Sequence, residues 1–388
     1  MKVVVVCSTL DLRYRLGCTP SWWQLFKAIH ELGHEVITLP FLGDPVESLW
    51  WRSVENPCAF ESKTYNWFLD LRRKPGTFLP ATATNSLVGG FVTNRIRKKW
   101  SSCLVSVLEG EKNVDAVIFI SVPLHFIDGI SRKIRKLFGI PVIFYEGDMP
   151  ISLPRYVKGS GYRFSYYENS DLSEFDAFFT NSRGVIPDLE ERGARNVQPF
   201  YYAIDPELFR PVDVRKDIDI SFFGYGTGLR EAWIQTMIVN ASLKMPDTRF
   251  VLAGKDLGSD LGRADYAGDL PFSAYRDFCC RSRICLNITR SSHASVYASS
   301  SARPFELAAF GACIVSNPCE GLSEWFDIGK EIIVLEERED AAALYGTLLG
   351  SEEQRLKTGD AARKRVLKDH TYKARAGQMI SAIRRLRT

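Results

Sequence analysis

Several signatures that would settle the chemistry of this chain at once are missing. None of its nine cysteines forms a C-x-x-C pair, no histidine-cysteine cluster has zinc-ligand spacing, and no D-x-D motif stands at the end of a strand. Nothing therefore calls for a resident metal. No apolar run is long enough to span a bilayer, and the amino terminus enters the apolar segment Val3 to Val6 without a signal peptide's basic head and cleavage site. The formal net charge is only +4, which does not by itself select nucleic acid as a partner. A G-x-G-x-x-G fingerprint is absent after that first segment, which argues against a tightly held dinucleotide in this half. Cys7, Cys285 and Cys313 lie inside apolar strands and Cys279 adjoins Cys280. The cysteines read as reduced core residues of a soluble, cytoplasmic protein.

What is present is a chain of 388 residues, 45% hydrophobic and 25% charged, long enough for two domains that each bury a core. Apolar strand segments alternate with helical ones. Val3–Val6, Glu35–Leu39, Asp115–Ile120, Pro141–Tyr145 and Asp176–Thr180 form one series, with helices from Thr19-Pro20 to Gly33 and from Phe91 to Leu108. Ile218–Phe223, Phe250–Ala253, Ile284–Ile288, Ala312–Ser316 and the edge segment Glu331–Leu335 form a second. Alternation of this kind predicts an α/β chain of two Rossmann-like domains with parallel sheets. Residues 41–90, rich in aromatics and prolines, fit neither series and read as an insertion that shapes a pocket or lid. Within it Trp50, Trp51, Tyr65, Trp67 and Phe68 are able either to stack on planar ligand faces or simply to pack.

In doubly wound sheets ligands lie beyond the carboxyl ends of the strands. In the first half that rule points to the loops bearing His125, Glu146-Gly147-Asp148-Met149-Pro150 and Asn181-Ser182. Two close carboxylates suit the positioning or deprotonation of a hydroxyl, or the capping of the next turn; a lone histidine suits catalysis or a structural hydrogen bond. Gly17 allows either a backbone approach to a ligand or an ordinary turn. In the second half, Gly224-Tyr225-Gly226-Thr227-Gly228 reads as a glycine-rich turn that breaks the strand before a helix containing Arg230, and Lys255 follows the next strand. Arg290 and His293 share a serine-rich loop. The segment from Ser299 to Phe326 then combines a helix start (Ser299, Ser300, Ser301, Pro304), the side chains of Arg303 and Glu306, a stop at Gly311, a buried strand and the Asn317-Pro318 loop. Exposed backbone N–H groups with a forked cation favour a phosphate, and a carboxylate favours sugar hydroxyls. The bland alternative is an ordinary strand-helix unit with Glu306 on a solvated face.

The pattern Arg303-x-Phe305-Glu306, Gly311, Gly321-Leu322-x-Glu324-x-Phe326 and Gly329-Lys330-Glu331 resembles the C-terminal domain of CgeB-like glycosyltransferases, relatives of the group 1, family 4 transferases of GT-B fold. The acidic, proline-ended loop at Glu146 also resembles one in those proteins. The resemblance implies a GT-B fold whose two sheets face a central cleft: residues 1–210 as the acceptor-side domain, 211–370 as the nucleotide-sugar domain, and 371–388 as a helix returning to the first. The segment Pro199 to Phe209, with Asp205-Pro206-Glu207-Leu208-Phe209, resembles the family's crossover, placing the boundary near Pro211. His370 is then a structural hydrogen-bonding residue. It further implies a hexosyltransferase-type enzyme moving a sugar from a nucleotide-diphosphate sugar, UDP- or GDP-linked, to a hydroxyl acceptor, with retention and no obligatory cofactor. The acceptor is left open among glycan, lipid, small molecule, protein and modified nucleic acid. Under this reading the donor is held by Gly224, Tyr225, Gly226, Arg230, Lys255, Arg290, Arg303, Phe305, Glu306, Gly321, Leu322 and Glu324. Glu306 takes the ribose, and Tyr266 to Pro271 lies along the base. Asp148, His125 and Arg230 are the catalytic candidates. One departure is visible, since Ala298 stands where many family 4 enzymes carry an earlier glutamate.

Two basic stretches, Arg95, Arg97, Lys98, Lys99 and Arg132, Lys133, Arg135, Lys136, suit an anionic acceptor or peripheral membrane contact, or are plain solvated helix faces. Two rival functions use the same features. One is a nucleotide-sugar epimerase of the same fold; the other is a silent glycan- or nucleic-acid-binding module.

Overall fold

The computed structural model describes residues 1–10, 21–61, 87–156, 167, 170–226, 228–336 and 340–387. The expectations for Gly17, Thr19, Pro20, Tyr65, Trp67, Phe68 and Thr227 fall outside these residues. The chain divides into two compact units, the first holding Trp22–Tyr201 with the N-terminal strand and Arg375–Thr388, the second holding Tyr202–Ala374. The chain thus passes between units at Tyr201–Tyr202 and returns at Ala374–Arg375.

The first unit is a seven-stranded sheet of order β3-β2-β1-β4-β5-β6-β7, with every neighbouring pair parallel. Its strands are β1 (Lys2–Thr9), β2 (Glu35–Leu42), β3 (Arg52–Ser53), β4 (Ala116–Ile120), β5 (Val142–Glu146), β6 (Ala177–Thr180) and β7 (Val197–Pro199). The unbroken valine run of β1 has no alternation because helices cover both faces of a central parallel strand; Val3, Val4, Val5 and Val6 are fully buried. The insertion contributes β3, which pairs with β2 through Ile37–Arg52 and Thr38–Ser53. Trp51 is buried against Trp23 and Phe26, so its ring is packing rather than ligand surface.

The second unit is a six-stranded parallel sheet of order β10-β9-β8-β11-β12-β13. Its strands are β8 (Ile218–Tyr225), β9 (Phe250–Lys255), β10 (Asp265–Tyr266), β11 (Ser282–Asn287), β12 (Cys313–Ser316) and β13 (Ile333–Val334). Ile220, Phe222, Met237, Leu252, Leu286 and Tyr345 are among the side chains of its core. Both sheets are therefore Rossmann-like in pattern. Because all strands of a sheet run the same way, their carboxyl ends lie along one edge, which is where the functional loops gather.

Sequence and structure part company at the first strand of this unit. Gly224 and Tyr225 do not open a loop; they extend β8 in register with Gly254 and Lys255. The glycines serve backbone packing there. A Cβ on Gly254, whose φ is +125°, would lie 1.9 Å from the Gly224 carbonyl oxygen, and one on Gly226 would lie 2.3 Å from the Leu257 Cα. Removing side chains lets two parallel strand ends approach more closely than any other residue permits. The helical segment that follows starts at Glu231, with Arg230 as its N-cap residue rather than inside it.

Candidate functional site

In the second unit the helix Ala302–Ala309 packs against β11 and β12 and reaches β8 through Arg303, and its N-cap residue Ser301 makes no side-chain cap. The amides of a helix start favour an anion. Arg303 and Glu306 fall one turn apart on this helix, and their side chains meet at 3.7 Å. The Arg303 guanidinium donates to the Phe223 carbonyl at the end of β8 and lies over the rings of Phe223 and Tyr275, 4.7 and 5.3 Å from their centroids. Contact with two aromatic rings together with a directed hydrogen bond holds a guanidinium where a lysine would stay mobile. Glu306 is 4% exposed and accepts a hydrogen bond of 3.0 Å from the Tyr275 hydroxyl. It does not sit on a solvated face. Burial raises its pKa above the usual carboxylate range, opposed by Arg303 and by the Tyr275 bond.

The other residues expected from the sequence to hold a donor take several roles. Arg230 donates from Nε to the Ile288 carbonyl (2.7 Å) and from Nη1 to the Tyr225 carbonyl (2.9 Å), joining the ends of β8 and β11. Lys255 is paired with Asp269 at 2.8 Å. Arg290 is the N-cap residue of the short helix Ser291–Ala294 and is half-buried, and His293 beside it is buried and held well below its ordinary pKa by burial, with Arg290 and Arg230 adding to the effect. Phe305 is fully buried among Trp325, Phe326 and His370, so it anchors the helix rather than lining its open end. Gly321, at φ +76°, packs against Ala298, where a Cβ would come within 2.5 Å of the Ala298 nitrogen. Ala298, at the place of the family's earlier glutamate, is itself buried with φ 47°. Leu322 is buried, while Glu324 is half-buried and accepts from the Tyr297 hydroxyl at 2.9 Å. In the Tyr266–Pro271 segment, Tyr266 is exposed and donates its hydroxyl to the Gly254 carbonyl at 2.6 Å.

In the first unit the acidic loop after β5 is built around Glu146, one of the two close carboxylates named from the sequence, whose place as the buried centre of the loop was not legible there. Glu146 is 1% exposed. Its Oε1 accepts from Ser121 Oγ at 3.0 Å and from the Asp148 amide at 3.1 Å, and its Oε2 accepts from the Tyr167 hydroxyl at 3.3 Å. Burial, reinforced by the Asp148 charge, pushes its pKa up to about 7 against the pull of those three bonds. The signal that would have found it is its position as the last residue of an apolar strand, the only charge in a run otherwise buried. Asp148, half-buried, is the next side chain along. His125 lies elsewhere, on the short helical turn Leu124–Phe126, with its ring against Phe126 at 4.1 Å. Its ring nitrogens are buried and have no hydrogen-bond partner among the described residues. Burial and then Arg97 push its pKa down to about 4, so the ring is neutral at physiological pH.

The basic helix faces are largely paired within the first unit. Arg95 and Lys99 meet Glu61, Arg97 meets Asp128, Arg132 meets Glu174, and Arg135 meets Asp176. No described helix is long and apolar enough to cross a membrane. Among the described residues no group of three or more His, Cys, Asp or Glu side chains is arranged to hold a metal ion.

A family model described as "Glycosyl transferase-like" matches residues 230–381. That span covers the loops from Arg230 to Phe326 and the helices that follow them. No curated protein matches the chain by sequence. Among solved structures it is similar to the sucrose-phosphate synthase of Thermosynechococcus elongatus, at 14% identity and a TM-score of 0.68 over 100% of this chain and 99% of that one. A glycosyltransferase from Rickettsia africae matches at 13% identity and TM-score 0.61, covering 99% and 98%. HepE of Anabaena in complex with UDP matches at 11% identity and TM-score 0.62, covering 99% and 100%. Likeness at such low identity over nearly whole chains establishes the architecture: the protein has the GT-B fold.

Proposed function

We propose that the protein is a glycosyltransferase that takes its sugar from a nucleotide-diphosphate sugar, with the donor held by the second unit and a hydroxyl acceptor by the first. The observation that carries the reading is the coincidence of two independent facts. Residues 230–381 match a glycosyltransferase model, and within them Arg303, Glu306 and a helix start come together on a helix packed against β11 and β12 of a parallel sheet. A UDP-linked donor is supported by the UDP held by HepE.

The departing diphosphate gains negative charge as the glycosidic bond breaks. Preoriented helix amides and Arg303 are suited to stabilise that charge without reorganising, which is the most effective form of electrostatic catalysis. Glu306 sits beside Arg303 with one oxygen occupied by Tyr275, and we assign it to accept from the ribose hydroxyls on the sequence resemblance. Lys255 reaches the phosphates by exchanging Asp269 for them. On the acceptor side Asp148 is the group we assign to orient the attacking hydroxyl, with Glu146 holding its amide from beneath. Retention of configuration, independence from metal, a hexosyl group as the transferred sugar and a CgeB-like specificity rest on the sequence resemblance. A cytoplasmic location is supported by the described cysteines being free thiols.

The test is titration calorimetry with UDP, GDP and their hexose conjugates, followed by product analysis with and without a hydroxyl acceptor and with and without EDTA. Micromolar binding of one nucleotide and transfer that needs acceptor support the proposal. Sugar isomerisation without acceptor would replace it with the epimerase. Absence of nucleotide binding alongside salt-sensitive polyanion binding would replace it with a non-catalytic module.

A further inference from the structure

The loop that leaves β11 is held by its neighbours at four main-chain groups. The Ile288 carbonyl accepts from Arg230 Nε at 2.7 Å. The Thr289 amide donates to Asn317 Oδ1 at 2.7 Å, and Asn317 Nδ2 donates back to the Thr289 carbonyl at 3.4 Å. The Ser291 amide donates to the Leu229 carbonyl at 2.8 Å. Behind them Asn287 Nδ2 donates to Ser316 Oγ at 2.9 Å, and Ser316 Oγ donates to the Asn287 carbonyl at 3.2 Å. Asn317 is 0% exposed, so its carboxamide spends its bonding capacity inward and cannot itself meet a ligand.

We infer that Asn317 is a positioning residue of the donor side, gripping the Ile288–Ser291 loop from the β12 edge while Arg230 grips it from the β8 edge, so that Arg290 is presented in one fixed place. The inference rests on the proposed function for what the loop does, though not for the clamp itself. It also changes the part played by Arg230. Two of its donors are bound to the Tyr225 and Ile288 carbonyls, an arrangement that straps strand ends together and depends on the forked shape of guanidinium more than on its charge.

An independent copy of the device stands in the other sheet. Asn181, one residue beyond β6, is 0% exposed. Its Oδ1 accepts from the Met149 amide at 2.8 Å and its Nδ2 donates to the Met149 carbonyl at 2.9 Å. It thereby pins the loop that carries Glu146 and Asp148. In both sheets the asparagine directly follows a strand-terminal hydroxyl residue, Thr180 or Ser316, and engages both the donor and the acceptor of one residue on the neighbouring loop. A carboxamide is the only small neutral side chain that offers an acceptor and a donor side by side, which a peptide unit requires. An aspartate of nearly equal volume has no donor for the carbonyl and adds a buried charge.

The experiment compares wild type with Asn317→Asp, Asn317→Ala, Arg230→Lys, Arg230→Ala and the double variant Arg230→Ala/Asn317→Ala in the full chain. Two readouts are taken: amide hydrogen exchange across 288–291, and release of UDP from UDP-glucose. If the clamp positions the loop, both Asn317 variants speed exchange there at least about tenfold while the global unfolding transition persists. Turnover falls about ten- to a hundredfold with KM moving less than about threefold, the signature of lost alignment rather than lost contact. Arg230→Lys behaves like Arg230→Ala, and the double variant costs no more than the worse single one, because both residues hold one loop. Unchanged exchange in Asn317→Asp, a loss confined to KM, or full activity in Arg230→Lys would overturn the inference. If Asn317→Ala fails to fold, Asn317→Asp carries the test. If wild type neither binds UDP-glucose nor releases UDP, the donor assignment fails, and the exchange measurement alone then decides whether Asn317 is the clamp.

Discussion

Replacing Glu146 by glutamine should become more favourable to stability as pH rises from acid to neutral. In the folded protein this carboxyl is 1% exposed, receives three hydrogen bonds and has a pKa raised to about 7, against an ordinary value of 4.5. Between those two values the folded state keeps a proton that the unfolded chain has released, so stability from this group is complete below the unfolded value and is lost as pH rises through the folded one. Each pKa unit is worth about 1.4 kcal/mol, so the difference amounts to roughly 3 kcal/mol. Glutamine has nearly the same shape, keeps one oxygen for Ser121 and the Asp148 amide, and can donate to a reoriented Tyr167 hydroxyl. It does not titrate. The stability of Glu146→Gln relative to wild type should therefore rise by about 3 kcal/mol from pH 4.5 to about pH 7 and level off above it. Urea unfolding at half-unit steps from pH 4.5 to 8.5 measures this, since taking the difference cancels the titrating groups that do not interact with Glu146. Parallel profiles for the two proteins would show that Glu146 ionises normally and that its burial carries no proton.

Three further outcomes can be checked directly. Gly254→Ala should destabilise the second unit by about 2 kcal/mol or more, because it adds a Cβ at φ +125° and 1.9 Å from the Gly224 oxygen; a wild-type thermal transition would contradict the close strand-end approach. Glu306→Ala should cost about 1–3 kcal/mol of folding stability as well as donor affinity, since it strands the Tyr275 hydroxyl and removes the partner of Arg303. Glu306→Gln should keep the fold and still weaken nucleotide binding, and an unchanged dissociation constant by calorimetry would take Glu306 away from the ribose. Arg303→Lys should slow transfer at least about tenfold, because an ammonium cannot both donate to the Phe223 carbonyl in the same geometry and cover the Phe223 and Tyr275 rings; equal turnover would mean that charge alone suffices.

The alternation of apolar runs with helices was enough to read two parallel sheets, and most strands lie within a few residues of their sequence positions. Fully buried strands such as β1 announce themselves by lacking any polar residue, and helix starts by serine and proline. The short strands β3 and β10 were not legible, since two residues carry no period. Nor was the meaning of the glycines after Phe223. A glycine that receives a ligand and one that receives another strand look alike until the neighbouring backbone is in place.

The sequence by itself determined the layered α/β architecture, the edge on which the loops would gather, and the residue types available there, because periodicity and local stereochemistry are properties of contiguous residues. Only the tertiary structure decided which groups act on which. It buried Glu146 and raised its pKa, set Arg303 against a pair of touching rings, and bent Arg230 back onto the strand ends. Asn181 and Asn317 likewise became clamps only there. Desolvation and hydrogen-bond partnership depend on what distant segments bring alongside, and no stretch of chain carries that information alone.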